Sequence, residues 1–140
     1  MPSLGGHITP QGMLIQVATA LPGSVAARTQ NNSQISLQGQ HGLIDTGASK
    51  TSISPSVAAS LNLTPIGIAP LQAAGGVHNA NKYIVDLVLG FGNSHIVFPN
   101  LEVCEFNVPA AMPFQLLIGM DVLRKGVFTM SFDGRFTFSV

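Results

Sequence analysis

Asp45 stands in the run Leu43-Ile44-Asp45-Thr46-Gly47-Ala48-Ser49, where two bulky apolar residues lead into a carboxylate, a hydroxyl and a glycine. One carboxylate alone on a surface does little chemistry. Two at hydrogen-bond distance repel by about 4 kcal/mol at an effective dielectric of about 20. The pair therefore holds a single proton between its members. The ionised member can deprotonate a shared water while the protonated member donates to a scissile carbonyl oxygen. That is general acid–base hydrolysis of a peptide with no covalent intermediate. The neighbours fit this task. Leu43 and Ile44 would deliver Asp45 from a buried strand. Thr46 offers a hydroxyl that can lock the turn. Gly47 allows a tight turn and leaves room for a partner backbone. Ala48 is small, as a wall beside a peptide must be. Asp-Thr-Gly by itself marks a turn and occurs only once. A second aspartate of the same kind must come from a second copy of the chain.

A second feature lies downstream in Leu116-Leu117-Ile118-Gly119-Met120-Asp121-Val122-Leu123, where an apolar run meets a glycine and then a short helical stretch. With both runs in this order, and the Gly75-Gly76 pair between them, the sequence resembles the retropepsin-like (retroviral-type) aspartic protease family. The resemblance covers roughly residues 13–140. It implies an all-β fold, a small closed β-barrel of the acid-protease type with one or two short helices, active as a homodimer. It also implies an aspartic endopeptidase in which water is activated between two Asp45 carboxylates, one from each subunit. By the same resemblance Thr46 matches the residue whose hydroxyl bonds across to the partner loop. Gly47 and Ala48 match substrate-facing backbone. Leu117, Ile118 and Gly119 match the strand beneath the active-site loop. Ala74, Gly75 and Gly76 fall at a mobile flap that closes over substrate. No cofactor and no metal is implied.

The sequence departs from the retroviral pattern in places. Retroviral enzymes often carry acidic residues after Asp-Thr-Gly-Ala, and an Arg after the later Gly that pairs with one of them. Here those positions are Ser49, Lys50 and Met120, which points to a cellular or bacterial branch. A hairpin around Asp133-Gly134 also follows the second helix, where retroviral enzymes have a single strand that pairs in the dimer interface.

These residues need elements to position them. Helical periodicity is nearly absent, and short apolar runs alternate with Gly, Pro and Asn clusters, which reads as mostly β. Strands are expected at Met13 to Leu21, Ile35 to Leu37, Gly42 to Ile44, Thr51 to Ile53, Ile66 to Leu71, Tyr83 to Leu89, Ile96 to Phe98 and Leu101 to Phe106. Residues 22–32 read as a polar loop, with a turn at Asn31-Asn32-Ser33. Ser54-Pro55 opens a first helix, since Ser caps well and Pro suits the first helical position. Asp121 to Lys125 reads as a second helix, capped by Asp121 and stopped at Gly126. Asp133-Gly134 between two apolar runs predicts a hairpin. Residues 1–12, rich in Gly and Pro, read as a flexible N-terminal tail, and residues 13–140 as one domain.

Composition narrows the function classes. Six Lys+Arg balance six Asp+Glu and the charged fraction is 9%, too few cations for a nucleic-acid surface. Cys104 is the lone cysteine, which excludes an internal disulfide and a thiol-rich zinc site; it reads as a buried small hydrophobe. His7, His41, His78 and His95 lack ligand spacing, though His78 lies near enough to the hairpin tip to touch substrate. Asp86, Glu102 and Glu105 read as solvent-facing, and Tyr83 as packing. Nucleotide, zinc and Ser-hydrolase motifs are missing. No signal peptide or membrane-crossing run is evident, so a soluble, cytoplasmic protein is the expectation. The expected partners are a second copy and an extended peptide or protein substrate, with no nucleic acid and no membrane. A non-catalytic dimerisation or peptide-binding module of the same fold is the competing reading.

Overall fold

A computed structural model describes residues 2–25, 38–73, 75–90 and 95–140. Along the chain run β1 (Ser3–Thr9), β2 (Gly12–Ala20), β3 (Gln38–Ile44), β4 (Ser52–Ile53), α1 (Pro55–Ser60) and β5 (Gly67–Ala73). There follow β6 (Gly76–Leu89), β7 (Ile96–Glu105), β8 (Leu116–Ile118), α2 (Met120–Leu123), β9 (Val127–Ser131) and β10 (Arg135–Ser139). The chain is mostly β with two short helices, as expected. The readings made for Asn31-Asn32-Ser33 and for Ile35 to Leu37 lie outside the described residues, as does Ala74.

Strand pairing runs β5-β6-β7-β4-β8-β3-β2-β1-β10-β9, and β6 also pairs with β2. That extra pairing, Val17 opposite Leu89 through Ala20 opposite Asp86, returns the sheet on itself. Strands β2, β3, β8, β4, β7 and β6 thus form a closed ring, which removes edges from its centre. Its interior is filled by alternate residues of each strand: Val17, Val85, Leu87, Leu89, Leu116 and Ile118 are all fully buried. The β5–β6 hairpin extends from one side of the ring and the β1-β10-β9 layer from the other.

Local chemistry explains most of the elements. Ser54 caps α1 by accepting a hydrogen bond from the Val57 amide at 3.3 Å, Pro55 starts the helix, and Val57 and Ala58 bury its inner face. Asp133 and Gly134 form the β9–β10 turn, with Gly134 at φ 84°, where a side chain would be strained. Strand β7 is continuous where two strands were expected. Opposite Asp86 the register slips, so that Val85 faces Leu101 but Leu87 faces Phe98. This bulge shifts the inward set from Ile96 and Phe98 to Leu101 and Val103, which breaks the period-two pattern without breaking the strand.

The N-terminal reading is corrected. Residues 3–9 are not a tail: β1 pairs with β10 over Ser3–His7 and with β2 at Ile8 and Thr9. Its glycines have a packing reason. A Cβ on Gly6 would lie 2.9 Å from the Phe136 ring, so glycine lets the strand lie across that buried aromatic. Among the described residues no helix is long and apolar enough to cross a membrane, which says nothing of crossing by strands.

Candidate active site

Asp45 sits where β3 ends, and four hydrogen bonds donated by backbone amides fix the loop that follows. The Asp45 amide donates to the Ile118 carbonyl at 2.9 Å, continuing the parallel β3–β8 pairing beyond its last strand residue. The Gly47 amide donates to Asp45 Oδ1 at 2.9 Å. Ala48 N donates back to the Asp45 carbonyl at 3.2 Å, and Met120 N donates to the Ala48 carbonyl at 2.8 Å. The first carboxylate oxygen is therefore oriented by the turn, and the second has no partner among the described residues. Asp45 is half-buried; Thr46 and Gly47 are exposed beside it, and the Thr46 hydroxyl bonds to nothing among the described residues.

Strand β8 lies between β3 and β4, parallel to the first and antiparallel to the second. Gly119 ends it at a crossing of backbones. A Cβ there would stand 2.7 Å from the Lys50 carbonyl and 2.9 Å from the Ala48 carbonyl oxygen, so glycine is demanded by space. The Gly119 amide donates to Thr51 Oγ1 at 3.1 Å, and that hydroxyl donates to Asp121 Oδ1 at 2.8 Å. The Asp121 carboxylate also accepts from the amides of Thr51 and Val122. This corrects the helix reading. Gly119, not Asp121, is the N-cap of α2, and the helix spans Met120–Leu123. Asp121 instead ties β4 to the β8–α2 junction, a contact between residues too distant in sequence to be read from pattern.

Asp45, Gly47, Ala48 and Leu117 open onto one cleft of about 660 Å³. Ala69, Pro70 and Leu71 of the β5–β6 hairpin also line it, and Lys82, Glu102, Cys104 and Phe106 of β6, β7 and the chain just beyond complete it with Ser49, Lys50 and Ser52. Ile118 and Gly119 are buried behind the loop. Gly75 and Gly76 are exposed at the hairpin tip, where Ala73 faces Gly76 and Gly76 takes φ 112°; neither lines the cleft. His78, with Leu71, Glu105 and Phe106, lines a neighbouring cavity of about 420 Å³.

One ion pair lies on this surface among the described residues. Lys82 Nζ lies 3.4 Å from Glu102 Oε1. Burial pushes the Cys104 thiol up from its ordinary range; Lys50 and Lys82 pull it down, while Glu102 and Asp121 push it further up. A protonated, buried thiol is a packing group and not a nucleophile. Burial likewise raises the Tyr83 phenol, which donates to Glu105 Oε1 at 3.2 Å. Among the described residues no group of three His, Cys, Asp or Glu side chains is placed to hold a metal ion.

Sequence reasoning missed the charged wall of the cleft. Lys82, Glu102 and Cys104 share it because the β6–β7 register sets Lys82 opposite Cys104 and Ile84 opposite Glu102; only a known register reveals such neighbours. It also placed Asp86 in solvent. Asp86 is fully buried, and its carboxylate accepts from the amides of Gly23, Val25 and Asn100 at 2.9–3.1 Å.

Residues 31–125 match the model of the family described as "gag-polyprotein putative aspartyl protease". No curated protein matches the sequence. Among solved structures, a retropepsin-like aspartic protease from Rickettsia conorii aligns over 97% of this chain and 89% of its own, with TM-score 0.59 and 13% identity. The retroviral protease-like domain of Ddi1 from Leishmania major aligns over 86% and 82%, with TM-score 0.46 and 13% identity. At such identity the first likeness speaks for a common fold.

Proposed function

This chain belongs to the gag-polyprotein aspartyl protease family, and from that premise we propose that it is an aspartic endopeptidase that works as a homodimer, one Asp45 from each subunit. Its substrate is an extended peptide lying in the cleft between the Asp45 loop and the β5–β6 hairpin. The observation that supports this most is the state of Asp45 itself. One carboxylate oxygen is held by the Gly47 amide, the other has no partner among the described residues, and both belong to a loop pinned to β8 at the mouth of a peptide-sized cleft.

The chemistry follows from two such carboxylates sharing one proton. The ionised Asp45 takes a proton from a water held between them, and the water oxygen bonds to the scissile carbonyl carbon. The protonated Asp45 gives its proton to the carbonyl oxygen. The resulting diol collapses, the C–N bond breaks, and the leaving amine takes up a proton from the pair. In this reading the Thr46 hydroxyl, which has no partner among the described residues, reaches across to the partner's loop. Gly47 and Ala48 present backbone to the substrate. Leu117, Ile118 and Gly119 hold the loop from behind, and Ala74, Gly75 and Gly76 form the tip of a closing flap.

The test is Asp45→Asn. Asparagine keeps an oxygen for the Gly47 amide, so the fold should survive, while peptide cleavage should fall by at least about 10²–10⁴-fold. Mixing the variant in excess with the wild-type chain should also suppress wild-type activity, because mixed dimers carry one aspartate. Activity near wild type in Asp45→Asn would overturn the reading. A dimer that binds peptides and cleaves none from a diverse library would instead be a non-catalytic binding module.

A further inference from the structure

The cleft beside Asp45 carries a lysine with no ion-pair partner among the described residues. Lys50 and Lys82 both line it, and Glu102 is the one carboxylate there apart from Asp45. Glu102 is already engaged by Lys82 at 3.4 Å. Ion pairs among the described residues join Lys82 to Glu102 and Arg135 to Asp133, and none engages Lys50. The Asp121 carboxylate, on the helix just past Gly119, is occupied by the Thr51 and Val122 amides and the Thr51 hydroxyl. Lys50 is exposed, five residues past Asp45, with its backbone pressed against Gly119. Its backbone is held at that crossing, and the residue lines the cleft. Lys50 also pulls the pKa of Cys104, another residue of the cleft lining, downward against the larger effect of burial.

We infer that Lys50 makes the cleft selective for peptides with an acidic side chain close to the scissile bond. This rests on the peptidase reading for the meaning of the cleft. A lone ammonium group lining a substrate groove attracts a carboxylate and repels a lysine or arginine, and electrostatic matching of this kind sets specificity more than raw affinity. Lys82 cannot serve equally, because Glu102 neutralises it. In a two-fold symmetric dimer Lys50 occurs twice, once on each side of the cut. The preference should therefore appear on both sides of the scissile bond, at positions related by the dyad.

Cleavage of paired peptides differing only by Asp in place of Asn tests this, with the products identified by mass spectrometry. The wild-type chain should cleave the Asp peptide roughly two- to fivefold faster in kcat/KM, the range of a partly screened single ion pair. The ratio should shrink as salt is raised. Lys50→Glu should invert it, favouring Lys-containing peptides. Lys82→Gln, which frees Glu102, should reduce it. An unchanged ratio in Lys50→Glu, or no Asp-over-Asn preference in the wild type, overturns the inference. The same peptide pairs are bound to Asp45→Asn and followed by fluorescence anisotropy. No cleavage with a retained Asp preference in binding defeats the peptidase reading and supports the Lys50 site. Cleavage with no preference in either assay does the reverse.

Discussion

Asp86 and Asp121 are carboxylates that hold backbone, and neither was legible as such in the sequence. An aspartate inside a strand-like run reads as solvent-facing, because alternation says which face a residue takes but not what lies on that face. Asp86 falls at a bulge, where the face is lined by three backbone amides from Gly23, Val25 and Asn100. Asp86→Ala leaves these donors without their acceptor and should cost about 2–4 kcal/mol, read from the urea midpoint. Asp86→Asn keeps one acceptor oxygen and should cost less. The placement of Asp45 at a strand end before a tight turn was legible because its signal is local: the strand, the turn and the glycine are contiguous. Cys104 was read correctly as buried, and its raised pKa gives a signed expectation. Its thiol and the Tyr83 phenol are both pushed up by burial, so the unfolded chain loses those protons first. Their contribution to stability is complete below about pH 9 and is lost as pH rises past the ionisation ranges of a free thiol and a free phenol, about 9 and 10. Denaturation midpoints should decline above pH 9, and Cys104 should react with a thiol reagent far more slowly in the native chain than in urea.

Strand β8 and its terminal glycine show how an element three residues long can govern a site. It supplies the carbonyl that receives the Asp45 amide, and the residue after it, Gly119, lets the 48–50 backbone pass within van der Waals range. Gly119→Ala must displace Lys50 and Ala48 backbone, not a flexible side chain. A shift of about 1 Å at the Asp45 loop should lower kcat by roughly 10²-fold. Far-UV circular dichroism should change little, since the ring of paired strands does not depend on that position. Equal losses of activity and of β structure would show that Gly119 supports the fold and not the loop. Such an element is legible because an apolar triplet followed by Gly and a helix start forms a pattern. Strand β7 was legible only in halves, since its bulge inverts the alternation at Pro99 and Asn100. The N-terminal strand was not legible at all. Its glycines suit a tail by composition, and the reason for them, the Phe136 ring, is at the other end of the chain.

At the scale of the whole molecule, the described sheet has two free edges, β5 and β9. The β5 edge carries Pro70, which cannot donate to a ladder and so discourages pairing. The β9 edge carries neither Pro nor Lys within Val127–Ser131, and leaves Val127 58% and Met130 56% exposed, with Phe132 fully exposed at the turn beyond. An unprotected edge with apolar side chains is unusual for a strand that remains solitary. The proposed catalysis needs a second chain, and the β9 edge is the surface whose backbone and side chains suit an antiparallel copy of itself about a two-fold axis. Asp133-Gly134 turns the chain so that β10 pairs with β1 and β9 is left outermost. The double variant Val127→Lys, Met130→Lys places four extra cations at such an interface, two from each copy. It should raise the dimer dissociation constant at least about tenfold and make specific activity fall steeply on dilution, while monomer stability changes little because both side chains are already exposed. Sedimentation across a concentration series, with cleavage assayed on the same samples, separates the outcomes. Loss of dimer and of activity together places the interface at β9. A dimer that persists in the variant with full activity assigns it to another face.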